Sequence, residues 1–319
     1  MKTTTQPILW ILILAFLTFS CKNDDDDTTM ASTSSIADFV TQNTNYSSLK
    51  SALDKTNLTA VLSGTDEYTV FAPDNVAFST FLTANNFASL NDVPTDLLTQ
   101  VLLNHVIAGT ATSGDLTTGY ITTLAEEQTT NNKINMYVNT SSGVVLNGDV
   151  MVTSADNSVN NGVIHAVSKV IGLPTVVTFA TADNTFSTLV NALTRESSFG
   201  YVSTLSSTTS PAPFTVFAPT NDAFGNLLTE LNAMGLNDIA TATLEATLNT
   251  HVVAQANVLS NALSDGMTVN TLGDSFTINT LNGASFTDKN NRSGDIIVTD
   301  VQAVNGVIHV VNKVILPEL

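Results

Sequence analysis

The residues that most invite a chemical reading in this chain are four histidines and one cysteine. His165 and His309 sit in two segments, NGVIHAVSKVI from Asn161 and NGVIHVVNKVI from Asn305, that differ only at Ala166/Val310 and Ser168/Asn312. His105 in LLNHV and His251 in LNTHV recur in the same way. One histidine pair per repeat invites a metal site or an acid–base pair. A metal would need further ligands and outer-shell partners. A catalytic histidine needs an orienting acid and a proton target within reach. No acidic residue flanks His165 in VIHAV or His309 in VIHVV. The expectation is a neutral imidazole in an apolar strand, sharing its face with Val163 and Val167, or with Val307 and Val311. Its one donor and one acceptor would tie two loops to the strand.

Other chemistry finds no support. No two glycines stand four apart, so G-x-S-x-G is absent. None stand two apart, so a dinucleotide fingerprint is absent too. DNSVNN from Asp156 lacks the alternating acids and closing glutamate of an EF-hand loop and is expected to be a solvated turn. With one cysteine there is no disulfide framework within the chain and no zinc site of several thiolates. No catalytic residue, no metal ligand and no cofactor is assigned.

The elements that would position the histidines also come twice. YTVFAPDNVAF from Tyr68 matches FTVFAPTNDAF from Phe214, SIADF from Ser35 aligns with TVVTF from Thr175, and SAL at Ser51 with NAL at Asn191. The spacing between copies changes only in polar loops such as STLSSTTSPAP, while the apolar blocks stay fixed, as two copies of one folded unit require. Copy one spans residues 32–174 and copy two 175–319. Pro174 and Thr175 join them with no Gly/Ser spacer, so limited hinge freedom is expected. Phe78, Phe81 and Leu82, and Phe224, Leu227, Leu228 and Leu231, have helical spacing, with Asp74 and Thr220 as N-caps. Leu98, Val101, Leu102 and His105 fall on one helical stripe, as do Leu244, Leu248 and His251. Val144 to Leu146, Asn147-Gly148 and Val150 to Val152 read as a hairpin. Val163 to Ile171 and Val307 to Ile315 read as interior strands covered on both faces.

Composition narrows the class. The chain has 319 residues, of which 43% are hydrophobic and only 12% charged, so it folds and covers its surface largely with Ser, Thr and Asn. A net charge of -18 repels a phosphate backbone, which excludes nucleic acid as a partner, and an anionic membrane face.

Residues 1–20 read as a secretory signal peptide. Lys2 precedes an apolar run from Ile8 to Leu17 that is too short to span a bilayer, which needs about 20 residues. Cys21 directly follows Ser20 and resembles the acceptor of bacterial lipoproteins, although Thr18 stands where leucine is usual and Leu17 lies one further back. Residues 21–31 form an acidic tether. Within it Lys22, Asp24, Asp25, Asp26 and Asp27 resemble the surface-export signal of Bacteroidota lipoproteins, and Asp27-Thr28-Thr29 resembles an O-glycosylation sequon of that phylum. The expected location is the outer membrane, with outer-membrane lipid as a partner through acylated Cys21 and the domains facing the cell exterior.

TVFAPTNDAF, a histidine near the end of a following helix, and NGVIHVVNKVILP stand in this order in both copies. The chain resembles a tandem fasciclin-domain protein over residues 35–319. That resemblance implies an α+β fold: in each domain about seven strands form a wedge or sandwich of two sheets, with packed helices. It marks Asn75, His105, Asn161, Gly162 and His165 in the first domain. In the second it marks Asn221, Asp222, His251, Asn305, Gly306 and His309, all mainly structural. The tyrosine usual before the helical histidine is replaced by Asn104 and Thr250, and Val76 stands where the second copy has Asp222. Arg292-Ser293-Gly294-Asp295 is not an RGD motif. The resemblance further implies a cell-surface adhesion protein that is not an enzyme, binding an extracellular protein or glycan. The alternative is a glycan-binding accessory lipoprotein of a polysaccharide-use system, which exposed aromatics would favour; Trp10, the sole tryptophan, lies in the signal peptide.

Overall fold

The computed structural model describes residues 34–318. The expected signal peptide, Cys21, Lys22 and Asp24 to Asp27 lie outside the described residues. The described residues form one compact unit.

The first half opens with three helices, α1 (Ile36–Gln42), α2 (Ser47–Thr56) and α3 (Thr59–Leu62). Ser35 and Asp38 form a reciprocal capping box that starts α1. β1 (Tyr68–Pro73) follows, then α4 (Asn75–Ala84) and α5 (Thr95–Leu103). Asp74 caps α4 as expected, its carboxylate accepting from the Ala77 amide at 2.8 Å. The remaining strands are β2 (Val106–Ala108), β3 (Gly119–Glu126), β4 (Lys133–Asn139), β5 (Val145–Leu146), β6 (Val150–Val159) and β7 (Gly162–Val167).

The second half repeats the order. Its helices α6 (Val176–Ala182), α7 (Ser187–Leu193) and α8 (Tyr201–Leu205) precede β8 (Phe214–Pro219), α9 (Asn221–Glu230) and α10 (Thr241–Asn249). Thr220 caps α9 through the Ala223 amide. The strands β9 (Val252–Ala254), β10 (Thr268–Val269), β11 (Phe276–Asn279), β12 (Ser285–Thr287), β13 (Ser293–Ala303) and β14 (Gly306–Val311) complete it.

Each half is a mixed α+β domain with a seven-stranded sheet. The strand order is β2-β1-β7-β6-β5-β4-β3 in the first and β10-β11-β12-β13-β14-β8-β9 in the second. The seven strands of each domain follow one hydrogen-bonded order, in which β6, or β13, joins two halves. In the first domain the two ends of the ladder, β2 and β3, pack against each other, so the ladder curls into a wedge. The TVFAP and NGVIH blocks are its centre: β1 runs parallel to β7, and β8 to β14. Alternate residues of these strands face two cores. Val70, Ala72 and Ile164 face the helices, whereas Phe71 and Val167 face the interior of the wedge with Met136, Val138 and Leu146.

Two expectations need correction, and a third is met. The strands read to Ile171 and Ile315 end at Val167 and Val311. Past that point the chain leaves the ladder because the Ile171 and Ile315 amides donate to histidine rings, not to a neighbouring strand. The hairpin at Asn147-Gly148 forms as expected, with Leu146 pairing with Val150 and Asp149 completing the turn. DNSVNN is mostly strand: Asp156 to Val159 belong to β6, with Asp156 at φ 63° where the β6–β7 register slips.

The domains share a packed seam. Tyr137 of β4 is built into the second domain's core. Tyr120 of β3 meets Phe179 of α6 edge to face, with centroids 5.4 Å apart, and its hydroxyl donates to Asp183 at 2.9 Å. Asn135 accepts from the Gln302 amide at 2.7 Å, and the Pro174 carbonyl from the Val304 amide at 2.8 Å. Burial, then the Asp183 carboxylate, push both phenols up, Tyr137 to about 12. Heat should therefore unfold both domains in one calorimetric transition. Tyr137→Ala removes an aromatic anchor, at a cost of about 3–5 kcal/mol. It should destabilise the second domain although the residue lies in the first, splitting the transition. An unchanged melting profile for the second domain would show that the seam carries no stability.

Candidate functional site

The residues that could do chemistry lie where β1 and β7, or β8 and β14, run side by side. Asn161 is nearly fully buried at the start of β7. Its Oδ1 accepts from the Ile36 amide, the first residue of α1, at 2.8 Å. Its Nδ2 donates to the carbonyls of Leu62 and Gly64 at 2.8 and 3.0 Å, closing the end of α3. Asn305 repeats this with the Val176 amide at 3.0 Å and the Leu205 and Ser207 carbonyls at 2.7 and 2.8 Å. Gly162 and Gly306 follow because a β-carbon there would overlap the carbonyl oxygens of Tyr68 and Phe214; their φ of 146° and 153° also suits glycine alone.

Asn75 and Asn221 play the same part at the other end of the parallel pair. Asn75 accepts from the Ser48 amide at 2.8 Å and donates to Thr44 O at 2.9 Å, and Asn221 does so to Thr188 and Asn184 at the same distances. Asp222 is exposed in the first turn of α9, where its charge suits the helix dipole. Val76, its counterpart, is 72% exposed.

The four imidazoles are buried and their nitrogens face backbone groups. Nδ1 of His105 lies 2.7 Å from Val101 O, and Nε2 accepts from the Ile171 amide at 2.8 Å. His251 matches it, with Thr247 O at 2.8 Å and the Ile315 amide at 3.0 Å. These partners require the Nδ1–H tautomer. His165 takes the opposite one: Nδ1 accepts from the Asp156 amide at 3.2 Å, so Nε2–H donates to Ala111 O at 2.9 Å. His309 bonds Val258 O at 2.9 Å, and its Nδ1 faces the Asp300 amide at 3.4 Å. Phe71 stacks on His165 and Phe217 tilts against His309, at 5.5 and 5.3 Å between centroids.

Sequence reasoning missed an acid beside each strand histidine. Asp156 and Asp300 sit at positive φ in the irregular stretches of β6 and β13, and the Asp156 carboxylate comes within 3.9 Å of His165 Nδ1. Ser113 donates its amide and hydroxyl to Asp156 at 2.6 Å each; Ser260 donates both to Asp300. The Ser113 hydroxyl and amide hold the Asp156 carboxyl below its usual range. Serine, histidine and aspartate are thus adjacent, but not as a nucleophile relay: the serine bonds the aspartate, and the ring nitrogens are held by backbone. The recoverable signal was the recurrence of an aspartate nine residues before each histidine. Among the described residues no cluster of three or more His, Cys, Asp or Glu is arranged to hold a metal ion.

Asn104 and Thr250 are also fully buried. Asn104 ties Thr123 to Gly172, donating to the Gly172 carbonyl at 3.0 Å, while the Thr250 hydroxyl accepts from the Asp274 amide. Arg292 is engaged by Glu230, Asp288 and the Val314 carbonyl, and is part of a folded clamp.

Removing a ring strands its backbone partners, so His165→Ala should destabilise its domain by about 1–3 kcal/mol in chemical denaturation. Wild-type stability in that variant would contradict the clip. The helix-end histidines set a pH dependence. Burial lowers His105 and His251 to about 4, against about 6.5 in the unfolded chain. Their native-state contribution is full above pH 6.5. It falls as pH drops toward 4, because the unfolded chain binds protons the native rings refuse, by up to about 3 kcal/mol per ring. In urea titrations from pH 7 to 4, His105→Gln should flatten part of that decline.

A fasciclin-domain family model matches residues 44–174 and again 184–317. Transforming growth factor-beta-induced protein ig-h3 of Oryctolagus cuniculus is 28% identical over 259 residues, covering 81% of this chain; the chain spans only 36% of that relative's length. An uncharacterized protein of Synechocystis sp. is 33% identical over 148 residues, 45% of this chain and 98% of its own length. Among solved structures, a FAS1 domain pair from the insect cell adhesion molecule Fasciclin I aligns at a TM-score of 0.49 and 19% identity, over 83% of this chain and 92% of that one. With both halves matched by one family model, the chain belongs to the fasciclin-domain family as a tandem pair.

Proposed function

We propose that this is a non-catalytic cell-surface lipoprotein whose two fasciclin domains mediate adhesion. Fasciclin domains occur in cell adhesion proteins. The observation that carries the reading is the engagement of every histidine nitrogen by backbone within a packed domain pair, which supports a binding scaffold over a reaction centre. The reading also draws on the sequence ahead of the domains. A short apolar run, Cys21 and four consecutive aspartates would hold the pair on a solvated tether at the outer membrane. Three acyl chains on one residue anchor stably where one is marginal.

Cys21→Ala should move the protein from the membrane to the soluble fraction and abolish adhesion of whole cells to matrix or neighbouring cells. Replacing Asp24 to Asp27 with Ala should leave it membrane-bound but reduce its cleavage by protease added to intact cells. Full membrane retention of the Cys21 variant would refute the anchor, and unchanged protease access would refute the export signal.

A further inference from the structure

The seam between the domains leaves a groove of about 730 Å³ on one side. α4 and α5 form one wall, and Thr208 and Val304 of the second domain contribute to the other. It adjoins a second crevice of about 580 Å³, with which it shares Asp149, Val170, Gly172, Leu173 and Thr175. Neither domain alone makes this space.

The lining has a distinct chemistry. Its one cation is already matched: Lys169 pairs with Asp149 at 2.8 Å. Glu127 turns its carboxylate onto its own turn, accepting from the Thr129 amide at 2.6 Å and from the Thr130 amide and hydroxyl at 2.8 and 2.6 Å. Lys169 is the groove's one cation and is paired, and the unpaired Glu127 carboxylate is buried and saturated by neutral donors, so neither is free for a charged ligand. What remains is apolar surface from Phe81, Leu97 and Leu173 beside the amides and hydroxyls of Asn85, Gln128 and Thr208. The adjoining crevice is lined by Asn147. Asn147 is 9% exposed, and its Nδ2 is the one buried side-chain polar atom among the described residues with no hydrogen-bond partner. Its Oδ1 is held by the Tyr137 amide at 2.9 Å, which fixes the amide in place.

A ligand that suits this lining is uncharged, has apolar faces to lie on an aromatic ring, and carries many hydroxyls. We propose that the interdomain groove binds a neutral oligosaccharide, and that the domain pair is the binding unit. The proposal deepens the adhesion reading by naming a ligand class and a place, and its use in adhesion rests on that reading.

The test titrates the full chain in detergent with neutral gluco-, manno- and xylo-oligosaccharides, with anionic polygalacturonate and with a cationic chitosan oligomer. Ala84→Trp and Thr208→Trp are exposed positions on opposite walls and fill the groove without touching either core. Met234→Trp, at a 99% exposed position outside it, is the control. At least one neutral oligosaccharide should bind, with each groove variant weakening it by about tenfold or more and the control by nothing. Calorimetric melting confirms that each variant is folded. Failure of every neutral sugar to bind, preference for a charged one, or equal binding by both groove variants overturns the proposal. Cell adhesion by the same variants separates the two claims. Adhesion that survives the groove variants removes the groove as the adhesive site and leaves the adhesion reading intact. Sugar binding without any wild-type adhesion removes that reading and leaves the groove.

Discussion

One buried amide organises each domain. The side chain of Asn161, and of Asn305 in the second copy, gathers the start of one helix, the end of another and the turn just past it. Its backbone carbonyl takes the amide that opens the partner strand, Tyr68 or Phe214. An amide buried without partners would oppose folding, but here one acceptor and two donors are all used, so burial fixes geometry at little cost. The next residue then has no choice. With the two parallel strands drawn this close, any side chain at Gly162 or Gly306 would strike the opposing backbone. The Asn-Gly pair is thus a joint between layers as well as a turn.

The histidines extend the same logic outward. His105 and His251 join the end of a helix to the chain leaving the sheet, and His165 and His309 join the slipped stretch of a strand to a crossing loop. The two classes use opposite tautomers because their neighbours present opposite patterns of donor and acceptor. Neutral rings suit interiors that carry few charges. They leave the hydroxyl-rich and amide-rich surface, not the core, as the place where recognition can occur.

Much of this was legible in the sequence, and the limits have physical reasons. The helix caps at Asp74 and Thr220 read correctly because a cap is a local bond between a side chain and an amide three residues on. The repeat disclosed the fold because apolar blocks kept their order while loops changed length. The strands were read too long: Val170 and Ile171 are as apolar as the strand before them, yet their place is set by a ring sixty-six residues away in sequence. Asp156 looked like part of a polar turn because composition cannot distinguish a turn from a strand irregularity. The seam was invisible, since Tyr120 and Tyr137 have no counterpart motif and their partners lie in the other domain.

That seam is directional, and its two mating surfaces occur once. The first domain offers the tyrosine pair Tyr120 and Tyr137 across β3 and β4; the matching pair across β10 and β11 is Thr268 and Thr277. The second domain receives with Asp183, whereas the residue opening the matching turn in the first is Asn43. A head-to-tail contact whose donor and acceptor faces recur on every copy can propagate into filaments. Here the outward faces lack the groups that made the inner contact, so neighbouring molecules have no template for polymerising through it. The repeat has been made unequal at the positions where equality would make the protein adhere to itself.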